Sequence, residues 1–117
     1  MNGLLPKAIH KEKICAIIVS FNGFTVIRAT VNALRHSVAA VVVVDNCTTD
    51  GTRELLTQME GIVTLSNDSN MGVAAALNIG VDYAVKSGFD WVLTMDQDSI
   101  AAAGMLDCII DVYKSLP

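Results

Sequence analysis

Asp96 and Asp98 flank Gln97 directly after the apolar run Trp91-Val92-Leu93-Thr94-Met95. If extended geometry persists into this turn, residues two apart point the same way. Two carboxylates so placed can approach one hard cation. Mg²⁺ or Mn²⁺ accepts oxygens from such a pair and from a diphosphate, and offsets charge developing on a departing nucleoside diphosphate. The same residues also suit a solubilising turn in which Asp98 or Ser99 caps the next helix.

Asp45 closes a second apolar run, Ala40-Val41-Val42-Val43-Val44. In a dinucleotide-binding fold an acid at this place holds a ribose, but that fold needs GxGxxG after its first strand. Ser20-Phe21-Asn22-Gly23 stands there instead, which argues against a nicotinamide or flavin site. Asp45 can instead accept a base N–H, or it can simply form a turn, and the residues leave both open. Asn70, Gly72, Asn78 and Gly80 make a further pattern. Asn70 is a candidate cap whose helix N-terminus offers free N–H groups to phosphate. Asn78 either is buried and ties its helix to a neighbouring loop, or is a surface amide beside a plain cap at Asn70, and the residues leave both open. Gly80, costly inside a helix by up to about 1 kcal/mol, implies close packing against a sheet.

These residues need elements to hold them. Continuous apolar runs bounded by polar turns read as strands buried on both faces, as in parallel sheets. They are expected near 14–19, 40–44, 62–65 and 91–95. Helical spacing predicts helices over 24–36, 52–60, 71–87 and 101–114. The 71–87 helix carries a stripe of Ala74, Leu77, Val81, Ala84 and Val85, with Gly88 as its left-handed terminus. Asp50 or Thr49 is the expected cap of the second helix, and Gly61 its end. Strand–helix alternation, four times over, predicts a Rossmann-like three-layer α/β sandwich around a mostly parallel four-stranded sheet of order 3-2-1-4. In such a sheet the polar turns crowd onto one edge, where ligands bind. Residues 1–13 read as an N-terminal arm and 14–117 as one domain.

The 117 residues carry a net charge of −4, and 52% are apolar against 17% charged, a globular composition. The grouping Lys7, Lys11 and Lys13 reads as a solvated arm, so no nucleic-acid partner is expected. An acidic domain can still bind nucleotides when a divalent cation meets the phosphates. Cys15 and Cys108 lie in apolar runs and read as core residues, whereas Cys47 lies in a polar loop. None forms a CxxC pair, which suits a reducing, cytoplasmic setting. No run of about 18 apolar residues suggests a membrane span, and no apolar signal core precedes Lys11.

Four blocks, taken in order, carry a resemblance. They are Ile17-Ile18-Val19-Ser20-Phe21-Asn22; Val43-Val44-Asp45-Asn46-Cys47-Thr48-Thr49-Asp50-Gly51-Thr52; Asn70-Met71-Gly72-Val73-Ala74-Ala75-Ala76-Leu77-Asn78-Ile79-Gly80; and Trp91 to Ser99 with its Asp-Gln-Asp-Ser end. Together they resemble the GT-A glycosyltransferases, in the large inverting family that includes bacterial rhamnosyltransferases. The resemblance covers roughly residues 14–117. It implies that Ser20 and Asn22 approach the nucleotide and that Asp45 contacts a pyrimidine base. Asp96 would lie near the ribose and the metal, and Asp98 would be the principal ligand of Mg²⁺ or Mn²⁺ on the donor diphosphate. The Asp-Gln-Asp-Ser end resembles the rhamnosyltransferase branch, which points to dTDP-L-rhamnose as donor. One departure is the loop after Asp45-Asn46, which usually carries Gly-Ser where Cys47-Thr48 stands. Cys47 replaces a residue free to adopt positive φ, so a slightly different loop is expected.

Enzymes of this class continue past the Asp-x-Asp into an acceptor-binding half that supplies the catalytic base. No residue here is a persuasive base. The expectation is a nucleotide-sugar-binding half, inactive alone, serving polysaccharide biosynthesis with a saccharide or lipid-linked acceptor. Peripheral membrane association of the complete enzyme and homo-oligomerisation through an exposed sheet edge go with it. A phosphoacceptor receiver domain would need paired acids where Val19-Ser20-Phe21 stands. A nucleotidyltransferase would carry a basic glycine-rich loop after the first strand. A self-associating interaction module is the remaining alternative.

Overall fold

The computed structural model describes residues 8–117. The part of the predicted arm at residues 1–7, with Lys7 of its basic grouping, lies outside them. From Ala8 onward the arm is docked. Ile9 is buried with Ile14, Leu106 and Ile110, and Trp91 Nε1 donates to the Ala8 carbonyl at 3.2 Å. Lys11 pairs with Asp107.

Four strands, β1 (Ile14–Ser20), β2 (Ala40–Asp45), β3 (Val63–Ser66) and β4 (Trp91–Asp96), form one parallel sheet of order β3-β2-β1-β4. This is the expected α/β architecture and strand order. All four strands run one residue further than the apolar pattern, to take in Ser20, Asp45, Ser66 and Asp96, and β3 begins one residue later than expected, at Val63. Polar side chains do not stop a backbone ladder whose neighbours still pair, and Ser20 lies opposite Asp45.

Helices α1 (Ile27–Leu34), α2 (Thr52–Gln58), α3 (Val73–Lys86) and α4 (Met105–Ser115) connect or follow these strands. Ala16, Ile18, Val41 and Val43 pack with Ile27, Val31, Leu34, Leu55 and Leu56 on the α1–α2 face. Cys15, Ile17, Val42 and Val44 pack with Ala76 and Ala84 on the α3 face. The alternation along each strand thus builds two cores, one on each side of a single sheet.

Helices α1, α3 and α4 begin later than their apolar spacing suggests, whereas α2 begins at Thr52 as expected. Gly72 (φ 81°) and Gly104 (φ 78°) occupy the caps of α3 and α4 in conformations that L side chains rarely adopt, so Met71 and Ala101–Ala103 stay outside. Gly51 is the cap residue of α2, but the expected Asp50 still serves it, accepting from Thr52 N at 3.1 Å. The buried line of α3 is Ala76, Gly80 and Ala84, whereas Ala74 is exposed and Val85 is 65% exposed. The predicted stripe is therefore rotated, because small residues are the ones that meet the sheet. Gly80 fulfils its expectation: a Cβ there would lie 2.5 Å from Ile17 Cγ2 and 3.2 Å from Val44 Cγ2. Cys108 is exposed on α4, a correction to its core reading, while Cys15 is buried and its thiol pushed up by desolvation. Among the described residues no helix is long and apolar enough to cross a membrane.

Candidate functional site

The loops after β1, β2 and β4 and the start of α3 enclose a cavity of about 540 Å³ at the C-terminal edge of the sheet. That size falls in the range of about 300–1,000 Å³ usual for small-ligand sites. Val19, Thr94 and Met95 contribute from the strands, and Val73 and Leu77 from α3. Asn46, Asn70, Asp96 and Asp98 bring the polar groups, and Phe21, 41% exposed, adds an aromatic surface.

The pleat decides which predicted residues meet here. Val19 lies opposite Asp96, and Ser20 opposite Asp45. Successive side chains alternate, so Asp96 falls on the α3 face with Val19, while Ser20 and Asp45 fall on the α1–α2 face. Of the predicted nucleotide and metal residues, Asn70, Asp96 and Asp98 therefore line the cavity, whereas buried Ser20 and Asp45, with Asn22 exposed in the β1 turn, form a separate polar layer off it.

That second layer is tightly paired. Asp45 is fully buried, its Oδ1 accepting from Thr48 N at 3.1 Å and its Oδ2 from Arg53 Nε at 2.7 Å. The Asp45 carboxylate holds the Arg53 guanidinium above its ordinary range. The Arg53 side chain is 43% exposed, so water shares this ion pair on one side. Ser20 Oγ donates to Gln97 Oε1 at 3.2 Å, and Asn22 Oδ1 accepts from Thr49 N at 2.8 Å. Thr48 Oγ1 is buried without a hydrogen-bond partner among the described residues.

Asn46 is the residue that motif reading passed over. It is 2% exposed and uses both ends of its amide. Its Nδ2 donates to Asn70 Oδ1 at 2.9 Å, and its Oδ1 accepts from Met71 N at 3.0 Å and Asn67 Nδ2 at 3.2 Å. One side chain thus fastens the β2 turn to the loop that leaves β3 and enters α3. The available signal was its place beside Asp45, one residue out of phase and therefore on the cavity face. Asn70 is not the cap residue of α3, since Gly72 is. Its Oδ1 accepts from Gly72 N at 2.9 Å, steadying the approach to the helix. Asn78 is exposed, not buried, because the buried line of α3 runs through Ala76 and Gly80.

Asp96 and Asp98 are exposed, and neither carboxylate has a protein partner among the described residues. Two open carboxylates on one cavity wall suit a hard divalent cation. No group of three or more His, Cys, Asp or Glu side chains gathers among the described residues, so ligand oxygens or water would have to complete any shell. Cys47 takes φ 68°, so the loop keeps the left-handed conformation that a glycine would adopt freely. The cysteine holds this conformation at a steric cost of about 1 kcal/mol.

Residues 15–115 match the sequence pattern of glycosyl transferase family 2. The dTDP-rhamnosyl transferase RfbF of Shigella flexneri is 33% identical over 89 residues, which cover 75% of this chain and 30% of that protein. Among solved structures, S. aureus TarS matches with a TM-score of 0.63 at 22% identity, over 87% of this chain and 20% of TarS. The likeness to TarS is one of fold. The chain spans less than a third of the length of either protein.

Proposed function

Since the chain belongs to glycosyl transferase family 2, we propose that its cavity binds the nucleoside-diphosphate part of a sugar donor for inverting transfer. The observation that carries this reading is the pair of carboxylates, Asp96 and Asp98, without partners among the described residues and facing the start of α3 across one cavity. Gly72 and Val73 line that cavity, so the N-terminal end of α3 turns free N–H groups and the positive end of its dipole toward it. A diphosphate would lie between this end and the acidic turn. Glycosyltransferases of this kind commonly use a divalent cation; here Asp96 and Asp98 would hold it. When bound, it supplies Lewis-acid stabilisation of charge on the leaving diphosphate.

The likeness to a dTDP-rhamnosyl transferase supports dTDP-L-rhamnose as donor. Asp45 and Asn22 shape the loop from residue 45 to 50, and we assign them to the base end of the site. Inversion needs a general base that deprotonates the acceptor hydroxyl. We place that base, and the groups that bind a saccharide or lipid-linked acceptor, outside these residues, in a cytoplasmic enzyme of polysaccharide synthesis. β4 is an edge strand with Val92 40% exposed, which favours association of this chain with itself.

Calorimetric titration with dTDP, with and without Mn²⁺, tests the reading. Binding should be tighter with Mn²⁺, and Asp98→Asn should remove that difference while leaving the fold intact. Asp45→Ala should weaken dTDP binding in both conditions. An Asp98→Asn chain with undiminished manganese dependence would refute the metal assignment.

A further inference from the structure

Gln97 stands between the two carboxylates in the turn that follows β4; it borders the same cavity, but its side chain reaches across to the β1 turn. Its side chain is fully engaged there. Oε1 accepts from Phe21 N at 2.9 Å and from Ser20 Oγ at 3.2 Å, and Nε2 donates to Phe21 O at 3.0 Å. The amide thus meets both polar groups of one backbone residue, as a neighbouring strand would. Its own carbonyl accepts from Thr30 Oγ1 on α1. The β1 and β4 ladder ends at Val19 and Asp96, so these bonds extend the pairing past the end of the sheet.

Gly23 supplies an independent observation. A Cβ at this position would lie 2.5 Å from Gln97 Oε1, 3.2 Å from its Cδ and 3.1 Å from Ser20 Oγ. Gly23 is not in the left-handed region, so its backbone does not require glycine. The space its missing side chain leaves is filled by the Gln97 carboxamide.

We propose that Gln97 is a positioning residue that clamps the acidic turn onto the β1 turn, so that Asp96 and Asp98 face the cavity together, and that Gly23 is the seat of this clamp. The inference rests on the donor-site reading above. A side chain that orients a metal ligand from behind typically changes metal affinity by about 10–100-fold. Without the clamp, Asp96 keeps its ladder pairing with Val19, but residues 97–99 keep, among the described residues, only the turn bond from Ser99 N to Asp96 O, at 3.1 Å, and the Thr30 contact. The two carboxylates then lose their common aim, whereas the β2 loop and the start of α3 are untouched.

The test uses the 117-residue chain with Mn²⁺ and dTDP as probes. Gln97→Ala should weaken manganese-dependent dTDP binding about tenfold or more. Metal-free dTDP binding should stay within about twofold, a selectivity that general loosening of the fold would not produce. Gly23→Ala keeps Gln97 but pushes its carboxamide away, and should give the same selective loss. Gly23→Ala/Gln97→Ala removes the crowding and should bind no worse than Gln97→Ala alone. Hydrogen exchange reads the clamp without any ligand, because the Phe21 amide should exchange faster in both single variants. Unchanged manganese dependence in Gln97→Ala overturns the proposal. If the unsubstituted chain shows no manganese-dependent dTDP binding, the donor-site reading fails and the role given to Gln97 toward the donor fails with it. Phe21 exchange then judges the clamp alone: acceleration in Gln97→Ala supports it, and unchanged exchange overturns it.

Discussion

Replacing Gly80 by alanine sets two opposed effects against each other in one residue. In a solvated helix, Gly→Ala stabilises by about 0.8–1.0 kcal/mol. At position 80 the new Cβ would sit 2.5 Å from Ile17 Cγ2 and 3.2 Å from Val44 Cγ2. Carbon atoms settle about 3.5–4.0 Å apart, so α3 or Ile17 must yield by roughly 1–1.5 Å. Both are constrained: Ile17 and Val44 are fully buried in the central strands, and Ala76 and Ala84 are fully buried on the same line of α3. Overpacking of this kind costs about 1–3 kcal/mol, so the net expectation is a loss of about 1 kcal/mol. For a domain of this size that lowers the thermal midpoint by about 4 °C. Asn78→Ala, on the exposed side of the same helix, is the control and should stabilise by a few tenths of a kcal/mol. Removing the obstructing methyl should reverse the sign of the interaction. Ile17→Ala alone should cost about 2–5 kcal/mol, and the Ile17→Ala/Gly80→Ala pair should be more stable than the sum of the single changes by about 1 kcal/mol or more. Chemical denaturation of the four chains measures this cycle. A Gly80→Ala chain with a raised midpoint would show that helix propensity wins and that the close approach of α3 to the sheet is not what holds the glycine.

Three other outcomes follow from the second polar layer. Thr48→Val should leave stability unchanged or raise it by up to about 1 kcal/mol, since Thr48 Oγ1 is buried without a partner among the described residues; a larger loss by denaturant titration contradicts this. Asp50 is held below its ordinary range, first by the Thr52 hydroxyl and also by the Phe24 and Thr52 N–H groups, so its contribution is present above the unfolded value of about 3.9 and is lost as pH falls through the lower folded value. Asp50→Asn should therefore be less stable than the unsubstituted chain at pH 7, with the difference shrinking below about pH 4 when midpoints are followed against pH. Cys47→Gly should relieve the left-handed conformation at φ 68° and stabilise by up to about 1 kcal/mol, an outcome contradicted by a lower denaturation midpoint.

The sheet was legible because its signals are local and redundant. Each strand is a run of apolar residues, and each connection is long enough for a crossover helix, so the order β3-β2-β1-β4 follows from general rules of parallel sheets. The ends of the elements were less so. Ala101, Ala102 and Ala103 have high helix propensity, but the positive φ of Gly104 delays α4. The α3 stripe was misjudged for a physical reason: apolar size suggested Val85, whereas the sheet accepts only small side chains at its closest approach. The site was legible as a set of loops but not as a single surface. Motif reading placed Ser20, Asp45 and Asp96 together because all end strands. Strand register separates them, since Ser20 pairs with Asp45 and Val19 with Asp96. Asn46 and Gln97 escaped notice because an amide beside an acid signals nothing until the loops that it joins are known.

The same packing that stabilises the α3 face also leaves the cavity open. Ala76, Gly80 and Ala84 bring α3 down onto Cys15, Ile17, Val42 and Val44, that is, over β1 and β2. A helix drawn so closely onto two strands cannot also cover a third strand about 4.8 Å further along the sheet. Val92, Thr94 and Asp96 of β4 therefore remain exposed on that face, although Leu93 and Met95 are partly buried on the other. Covering β4 with apolar side chains would bury more surface and raise stability, but it would close the space in which Thr94, Asp96 and Asp98 meet the start of α3. Gly80 and the acidic turn are thus linked through the position of one helix. A glycine at the sheet centre sets where α3 lies, and that placement decides which wall of β4 stays free for chemistry.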